Sequence, residues 1–274
     1  MNTHAPIAVS TFYHFSPLAE PAALKPILLQ EMHALNLRGT ITLAPEGINA
    51  TIAGATGAID SMVDHIRTLP GFTALDHRIS HHSSAPFGKG KVKVKRELIS
   101  LGAEANPAIC VGTHVDPSEW NALITEPDVI TIDTRNDYEY RIGHFKNAIN
   151  PATRSFKHLV AFTKSQLDPK KHPRVAMYCT GGIRCEKYSS YLLTQGFQHV
   201  YHLKGGILAY LETISPAHSL WQDECYVFDE RVAVGHGLTP SADATMCMGC
   251  GSPLYSTDRA HPDYVAGKQC AECA

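Results

Sequence analysis

The sequence predicts two domains of different class, a small α+β domain followed by an α/β domain on a parallel sheet, with a cysteine-rich tail behind them. Three observations predict this. Apolar segments in the first part of the chain follow the order βαββαβ. From about Val111 to Pro216, buried-type strands alternate with helical segments. Beyond about Ser219 the apolar periodicity fades and two C-x-x-C pairs take its place. A chain of 274 residues has room for two such domains.

Ile7 to Phe15 is a strand-like run, and Glu20 to Leu35 carries Leu24, Ile27, Leu28 and Leu35 at helical spacing, with Pro26 placed in the first turn. Gly39 to Leu43 and Ile48 to Ile52 flank Ala44-Pro45-Glu46-Gly47, a turn-forming segment suited to a hairpin. Thr56 can cap a helix that places Ile59, Met62, Val63, Ile66 and Leu69 on one face and stops at Pro70-Gly71. With a last strand near Thr73 to Ser80, the order is the split pattern of a ferredoxin-like domain. Its expected extent is residues 1–86.

Residues 87–110 stand apart as a basic strand and linker. In an extended chain Lys89, Lys91, Lys93 and Lys95 line one face at about 6.6 Å spacing, with Val92 and Val94 on the other. That row, continued by Arg96, suits the phosphate backbone of a polyanion. It equally suits an edge strand whose lysines discourage aggregation.

In the second domain, expected at 111–218, Val129 to Ile132 leads into Asp133-Thr134-Arg135, and Val175 to Tyr178 leads into Cys179. A third strand, Tyr201 to Leu203, precedes Gly205-Gly206 and a helix from Ile207 to Ile214. Ligands of open α/β sheets sit beyond the carboxyl ends of the strands, where Asp133 and Cys179 fall. After Cys179 come Thr180, Gly181, Gly182, Ile183 and Arg184, and then a helix with Tyr188, Tyr191 and Leu192 inward and Gly196 as its stop. Glycines let successive N–H groups converge, and the helix start adds its positive dipole end, so the loop can cradle a negative charge at the sulfur. Arg184 strengthens that field. The expectation is a reachable, acidic thiol, nucleophilic as the thiolate or stabilised as a persulfide.

The segment Cys179 to Arg184 resembles the six-residue active loop of rhodanese domains. Asp133-Thr134-Arg135 with Glu139, Gly143-His144 and Ala148-Ile149-Asn150 resembles a second rhodanese segment. Related phosphatases place an arginine six positions after the cysteine, where this chain has Cys185, so phosphatase chemistry is disfavoured. Cys185 can resolve an oxidised Cys179 or pack under the helix. Asp133 and Arg135 are expected to brace the loop rather than clamp substrate, and His144 to be structural.

Taken with the Ala44-Pro45-Glu46-Gly47-Ile48-Asn49 hairpin, the lysine strand and the cysteine-rich tail, the whole chain resembles the bacterial rhodanese-related tRNA uridine hydroxylases. The resemblance implies an α/β rhodanese domain behind a ferredoxin-like, acylphosphatase-like domain. It also implies oxygen-dependent formation of 5-hydroxyuridine at the wobble position of tRNA, with dioxygen as co-substrate, Cys179 as the essential residue and an unidentified electron or sulfur donor. No glycine-rich nucleotide fingerprint is apparent. His114/Asp116 and His261/Asp263 are isolated pairs, and a non-haem iron triad is not expected from them. Chemistry through sulfur or an unrecognised cofactor remains, with addition of the Cys179 thiolate to C6 of uracil as one route to an enolate-like C5. The alternative reading is a sulfurtransferase passing a Cys179 persulfide to a thiol or protein acceptor; a third is a non-catalytic binding module.

In the tail, 219–274, Cys247 and Cys250 pair at a distance of 19 intervening residues with Cys270 and Cys273, the spacing of a structural four-cysteine zinc site. Two redox dithiols are the other reading. Cys110 and Cys225 lack partners at such spacing and read as small apolar residues.

Apolar residues make up 44% of the chain and charged ones 18%, enough for packed cores. Lys+Arg 24 against Asp+Glu 26 excludes a globally basic nucleic-acid coat, leaving only a local basic patch. No uncharged apolar run reaches the roughly 18 residues of a membrane span, and no secretory leader is evident, so a cytoplasmic protein is expected. Reducing surroundings favour catalytic or metal-binding roles for the eight cysteines.

Overall fold

The computed structural model describes residues 7–82 and 86–274, so parts of the expected first domain, 1–6 and 83–85, lie outside the described residues. The chain divides into two compact units, one formed by 1–100 with 106–109 and the other by 101–105 with 110–274.

The first unit runs β1 (Ile7–Phe15), α1 (Pro21–Ala34), β2 (Arg38–Ala44), β3 (Gly47–Gly54), α2 (Thr56–Arg67), β4 (Arg78–His82) and β5 (Gly90–Val94). Its sheet has the order β4-β1-β3-β2-β5, the first four strands mutually antiparallel as the split pattern requires. Leu28, Met32, Ile41, Ile52, Ile59, Met62 and Phe72 close the core between sheet and helices.

Several local readings need correction. Pro26 lies in the second turn of α1, not the first, and its missing N–H falls on an exposed stretch where water can serve the freed carbonyl. Thr56 is the first residue of α2 and Ala55 precedes it, so no side chain caps that helix. The lysine segment does not stand apart: β5 pairs in parallel with β2, Val92 opposite Ile41, as the outer strand of the sheet. Val92 is buried there and the four lysines are exposed, but Val94 is 42% exposed because the sheet's cover ends before it.

The second unit begins with β6 (Thr113–Val115), α3 (Pro117–Ile124), β7 (Val129–Asp133), α4 (Asp137–Ile142), β8 (Gly143–Phe145) and α5 (Leu159–Gln166). It continues through β9 (Arg174–Tyr178), α6 (Ile183–Thr194), β10 (His199–Leu203) and α7 (Gly206–Thr213). The parallel sheet has the order β6-β10-β9-β7. This places the ends of β7 and β9 side by side, Asp133 against Tyr178.

Residues past 219 are not a separate tail at first. β11 (Trp221–Asp223) returns to pair with β8, and β12 (Cys225–Tyr226) pairs with β13 (Ala233–Val234). Trp221, Cys225, Val227, Val234 and Leu238 belong to the same core as Phe145, Tyr178 and Tyr210. Phe145 sits edge-on to Tyr178, Tyr210 and Trp221 at ring separations of 4.8, 4.7 and 5.0 Å, a geometry that aromatic quadrupoles favour. Only then come β14 (Thr245–Met246), β15 (Pro253–Leu254) and α8 (Ser256–Arg259) around the cysteine pairs.

Candidate active site

Cys179 leaves the buried strand β9 and the next three residues turn the chain into α6. Gly182, which precedes that helix, has φ +105°, a conformation that favours glycine. From the other side α7 holds the loop in place: Ile207 N–H donates to the Cys179 carbonyl at 3.0 Å and Leu208 N–H to the Thr180 carbonyl at 3.1 Å. Gly206 permits this approach. It has φ +65°, and a Cβ there would lie 2.5 Å from both the Cys179 and the Thr180 carbonyl oxygens. Gly206→Ala is therefore expected to cost more than about 2 kcal/mol and to lower the melting temperature by several degrees. Gly181→Ala, built into open space, is the control whose melting temperature should stay with the wild type.

The sulfur sits in a nest of donors. Gly182 N–H points at Cys179 Sγ from 3.1 Å. Burial opposes ionisation of Cys179, but the Cys185 thiol, the Arg184 charge and the Cys185 and Arg184 amides outweigh it and hold the thiol down at about 6. Cys185 moves the other way, because burial and the neighbouring Cys179 sulfur push its own thiol well above the usual range. Thr134 Oγ1 lies 3.4 Å from Cys185 Sγ and donates to the Tyr178 carbonyl at 2.9 Å, tying the β7 end to the helix start.

One expectation is overturned: Cys179 is not openly reachable, being 1% exposed with its sulfur turned into the loop. Its neighbours Gly181 and Ile183 are half-buried and form the open edge of the loop.

Arg184 lowers the thiol while both its terminal nitrogens are engaged elsewhere. It forms a two-point pair with the fully buried Glu139, at 2.7 and 2.8 Å, and reaches Thr180 Oγ1 at 3.1 Å. Burial works against the Glu139 carboxylate, yet Arg184 more than offsets it and keeps Glu139 below the ordinary carboxylate range. The exposed Phe228 ring lies 5.8 Å from the Arg184 guanidinium and packs edge-on to Tyr226.

Asp133 and Arg135 lie one layer deeper. Arg135 is 1% exposed, pairs with Asp133 at 2.6 Å, donates to the Gly143 carbonyl at 2.6 Å and lies over the Trp221 ring at 5.1 Å. All these partners are structural elements around β7 and β8. His144 stacks on Tyr140 at 4.0 Å. Cys225 is fully buried as expected, whereas Cys110 is exposed and packs into no core.

The loop Thr180 to Arg184 thus gathers around Cys179 as the sequence suggests, with Cys185 beneath it. Lys89, Lys91, Lys93, Lys95 and Arg96 belong to the other unit. Sequence reasoning missed two contributors, Thr134 and the anchoring role of Glu139. A signal for the second exists: Glu139 follows Asn136 at capping-box spacing and accepts the Asn136 N–H at 3.0 Å, which fixes its carboxylate.

In the last part of the chain, against α4 through the Arg141–Glu272 pair, four sulfurs converge. Cys247 and Cys273 Sγ are 3.8 Å apart, Cys250 and Cys270 3.6 Å, and Cys270 and Cys273 3.8 Å. A tetrahedral ion with bonds of about 2.3 Å needs sulfur spacings of about 3.8 Å. Two of these spacings cross between the C-x-x-C pairs, which separate local dithiols would not require. The cluster can hold a metal ion.

Residues 7–98 match the UPF0176 acylphosphatase like domain, so that match extends through β5, and residues 116–213 match the Rhodanese-like domain. A tRNA uridine(34) hydroxylase of Synechocystis sp. is 51% identical over 97% of this chain and 95% of its own. Proteins of the same name from Jannaschia sp. and Teredinibacter turnerae are 48% and 46% identical, covering 88% and 83% of their lengths. A rhodanese loop with a cysteine at its head, an acylphosphatase-like unit and near-complete coverage of these relatives agree, and the chain belongs to the tRNA uridine(34) hydroxylase family.

Proposed function

We propose that this protein hydroxylates uridine 34 of tRNA at C5, in an oxygen-dependent reaction that uses the Cys179 thiolate. The observation that carries the reading is similarity across 97% of the chain to relatives of that name, at 46–51% identity. The residue assignment is supported by the donors around Cys179 Sγ, which favour an anion there. Addition of that thiolate to C6 of uracil makes C5 an enolate-like carbon that attacks dioxygen. An external reductant supplies the two electrons that, with two protons, convert the C5 hydroperoxide to the alcohol and water. Loss of the C5 proton then breaks the C6–S bond and restores the double bond, with the loop amides stabilising the charge that returns to sulfur. Because Cys179 is buried at rest, this route requires the loop edge at Gly181 to yield to the incoming base. The exposed Phe228 ring beside Arg184 offers a face on which an unstacked base can rest. Such a substrate supports a cytoplasmic location.

The deciding experiment is the nucleoside profile of tRNA from cells lacking the protein. Loss of 5-hydroxyuridine derivatives is expected, restored by the wild-type chain. A loss of thiolated nucleosides instead would favour the persulfide-transfer alternative, which the same anion nest could serve. Mass spectrometry of quenched reactions separates a base adduct on Cys179 from a persulfide.

The exposed lysines of β5 and Arg96 are proposed to contact tRNA phosphates. Lys91→Gln and Lys93→Gln should each weaken tRNA binding and reduce the slope of log affinity against log salt by about 1. An unchanged slope would return these residues to a purely edge-protecting role. The four-cysteine cluster is proposed to bind zinc structurally, since four thiolates leave no open position for substrate.

A further inference from the structure

We infer that His114, Glu186 and His202 form a binding site for a divalent first-row transition metal, separate from the four-cysteine cluster. β6 and β10 are parallel neighbours, and His114 stands opposite His202 in their register, so both imidazoles project to the same face of the sheet. Helix α6 brings Glu186 to them. One ligand atom from each residue lies within 4.8 Å of the other two.

His202 supplies the second, independent observation. It is 1% exposed, and its Nε2 lies 3.1 Å from the Gly112 carbonyl oxygen. A carbonyl only accepts, so the ring proton sits on Nε2 and Nδ1 keeps a bare lone pair. That Nδ1 is buried and has no hydrogen-bond partner among the described residues. A buried acceptor left without a donor is costly, and a cation removes the cost. Anchoring the far ring nitrogen on a backbone carbonyl is also how metal-bound imidazoles are oriented.

The other two groups already converge. His114 Nε2 is 2.8 Å from Glu186 Oε1, with the histidine side chain 41% exposed and the carboxylate side chain 11% exposed. A metal with bonds of about 2.1 Å needs ligand spacings of about 3.0 Å at right angles and about 3.4 Å at tetrahedral angles, which a rotation of the exposed His114 can supply. The nearby Lys204 ammonium is paired with Asp116 at 3.1 Å. Two imidazoles, one carboxylate and an exposed flank suit Fe(II), Mn(II), Co(II) or Zn(II) rather than Ca(II) or Mg(II), with positions left for exchangeable ligands. The sequence concealed this set because its members lie on three elements, and the nearby pair His114/Asp116 pointed to the wrong carboxylate.

The test uses the full-length chain, stripped of metal, reduced and titrated with Co(II). Two equivalents should bind: one with the strong thiolate charge-transfer absorption of a sulfur site, the other with only weak ligand-field bands. His114→Ala, at an exposed edge-strand position, should bind one equivalent with the thiolate spectrum intact and near-ultraviolet circular dichroism unchanged. Glu186→Gln should weaken the second equivalent by at least about 10-fold. A single equivalent in the wild type, or a second one that persists in His114→Ala, overturns the site.

Discussion

Replacing Cys179 by serine is expected to reduce tRNA uridine hydroxylation by at least about 10³-fold while leaving the fold in place. Serine is nearly isosteric with cysteine and can still accept the Gly182 N–H, so the loop has no steric reason to collapse. What disappears is an anion at neutral pH, because an alcohol in the same nest does not ionise. Quantifying 5-hydroxyuridine in tRNA incubated with purified protein, alongside a melting curve, checks both halves. A serine variant with more than a tenth of wild-type activity would sink the thiolate assignment.

The same thiol sets a pH dependence. It is held at about 6 in the folded protein, against about 8.5 for a free cysteine. The thiolate fraction therefore grows as pH rises through 6, and kcat/KM should rise with it and then level. Stability follows the same sign. A depressed folded value contributes stability that is fully present above the unfolded value and is lost as pH falls from there through about 6. Cys185, pushed upward, stays a thiol across this range, and Glu139, pushed downward, stays ionised, so neither masks the transition. Denaturant unfolding of wild type and Cys179→Ser at several pH values should show the slope in the first and its loss in the second.

Glu139→Gln is expected to be strongly destabilising. Glu139 is fully buried and meets the Arg184 guanidinium at two points, so the amide leaves a buried cation without its carboxylate partner and with the Cys179 sulfur as its main remaining counter-charge. Breaking a buried pair from one side costs about 3–5 kcal/mol. For a unit of this size that corresponds to a fall in melting temperature of roughly 6–20 °C. Adding Arg184→Met to Glu139→Gln should recover much of the loss by removing the stranded charge. Differential scanning calorimetry of the two variants decides it; a drop below about 1 kcal/mol for Glu139→Gln would mean that water reaches the pair.

The element order and the candidate loop were legible in the sequence because local rules set both. Alternation of apolar residues wrote the strands, and a cysteine followed by two glycines and a helix-forming run wrote the nest. What escaped were relations between distant segments. The capping-box spacing of Asn136 and Glu139 indicates where the carboxylate is fixed, but its crossing to Arg184 depends on α4 and α6 flanking the ends of adjacent strands. The lysine segment read as a strand, but one standing apart from the first domain, because its pairing partner, β2, lies far upstream and a parallel pairing leaves no turn to announce it. Residues after Ser219 looked incapable of forming a core because they do not form one alone; Trp221 and Val234 complete one begun by Phe145 and Tyr178.

That return of β11 onto β8 redraws the catalytic unit as a transplantable module. Cutting the chain at Thr213, where the rhodanese match ends, would strip the Trp221 ring from Arg135 and leave the aromatic cluster uncovered on one side. An excised fragment must therefore extend past Leu238 to carry its own lid of indole and aliphatic groups. Gene fusions or deletions that respect the shorter boundary should yield insoluble product, whatever loop they preserve.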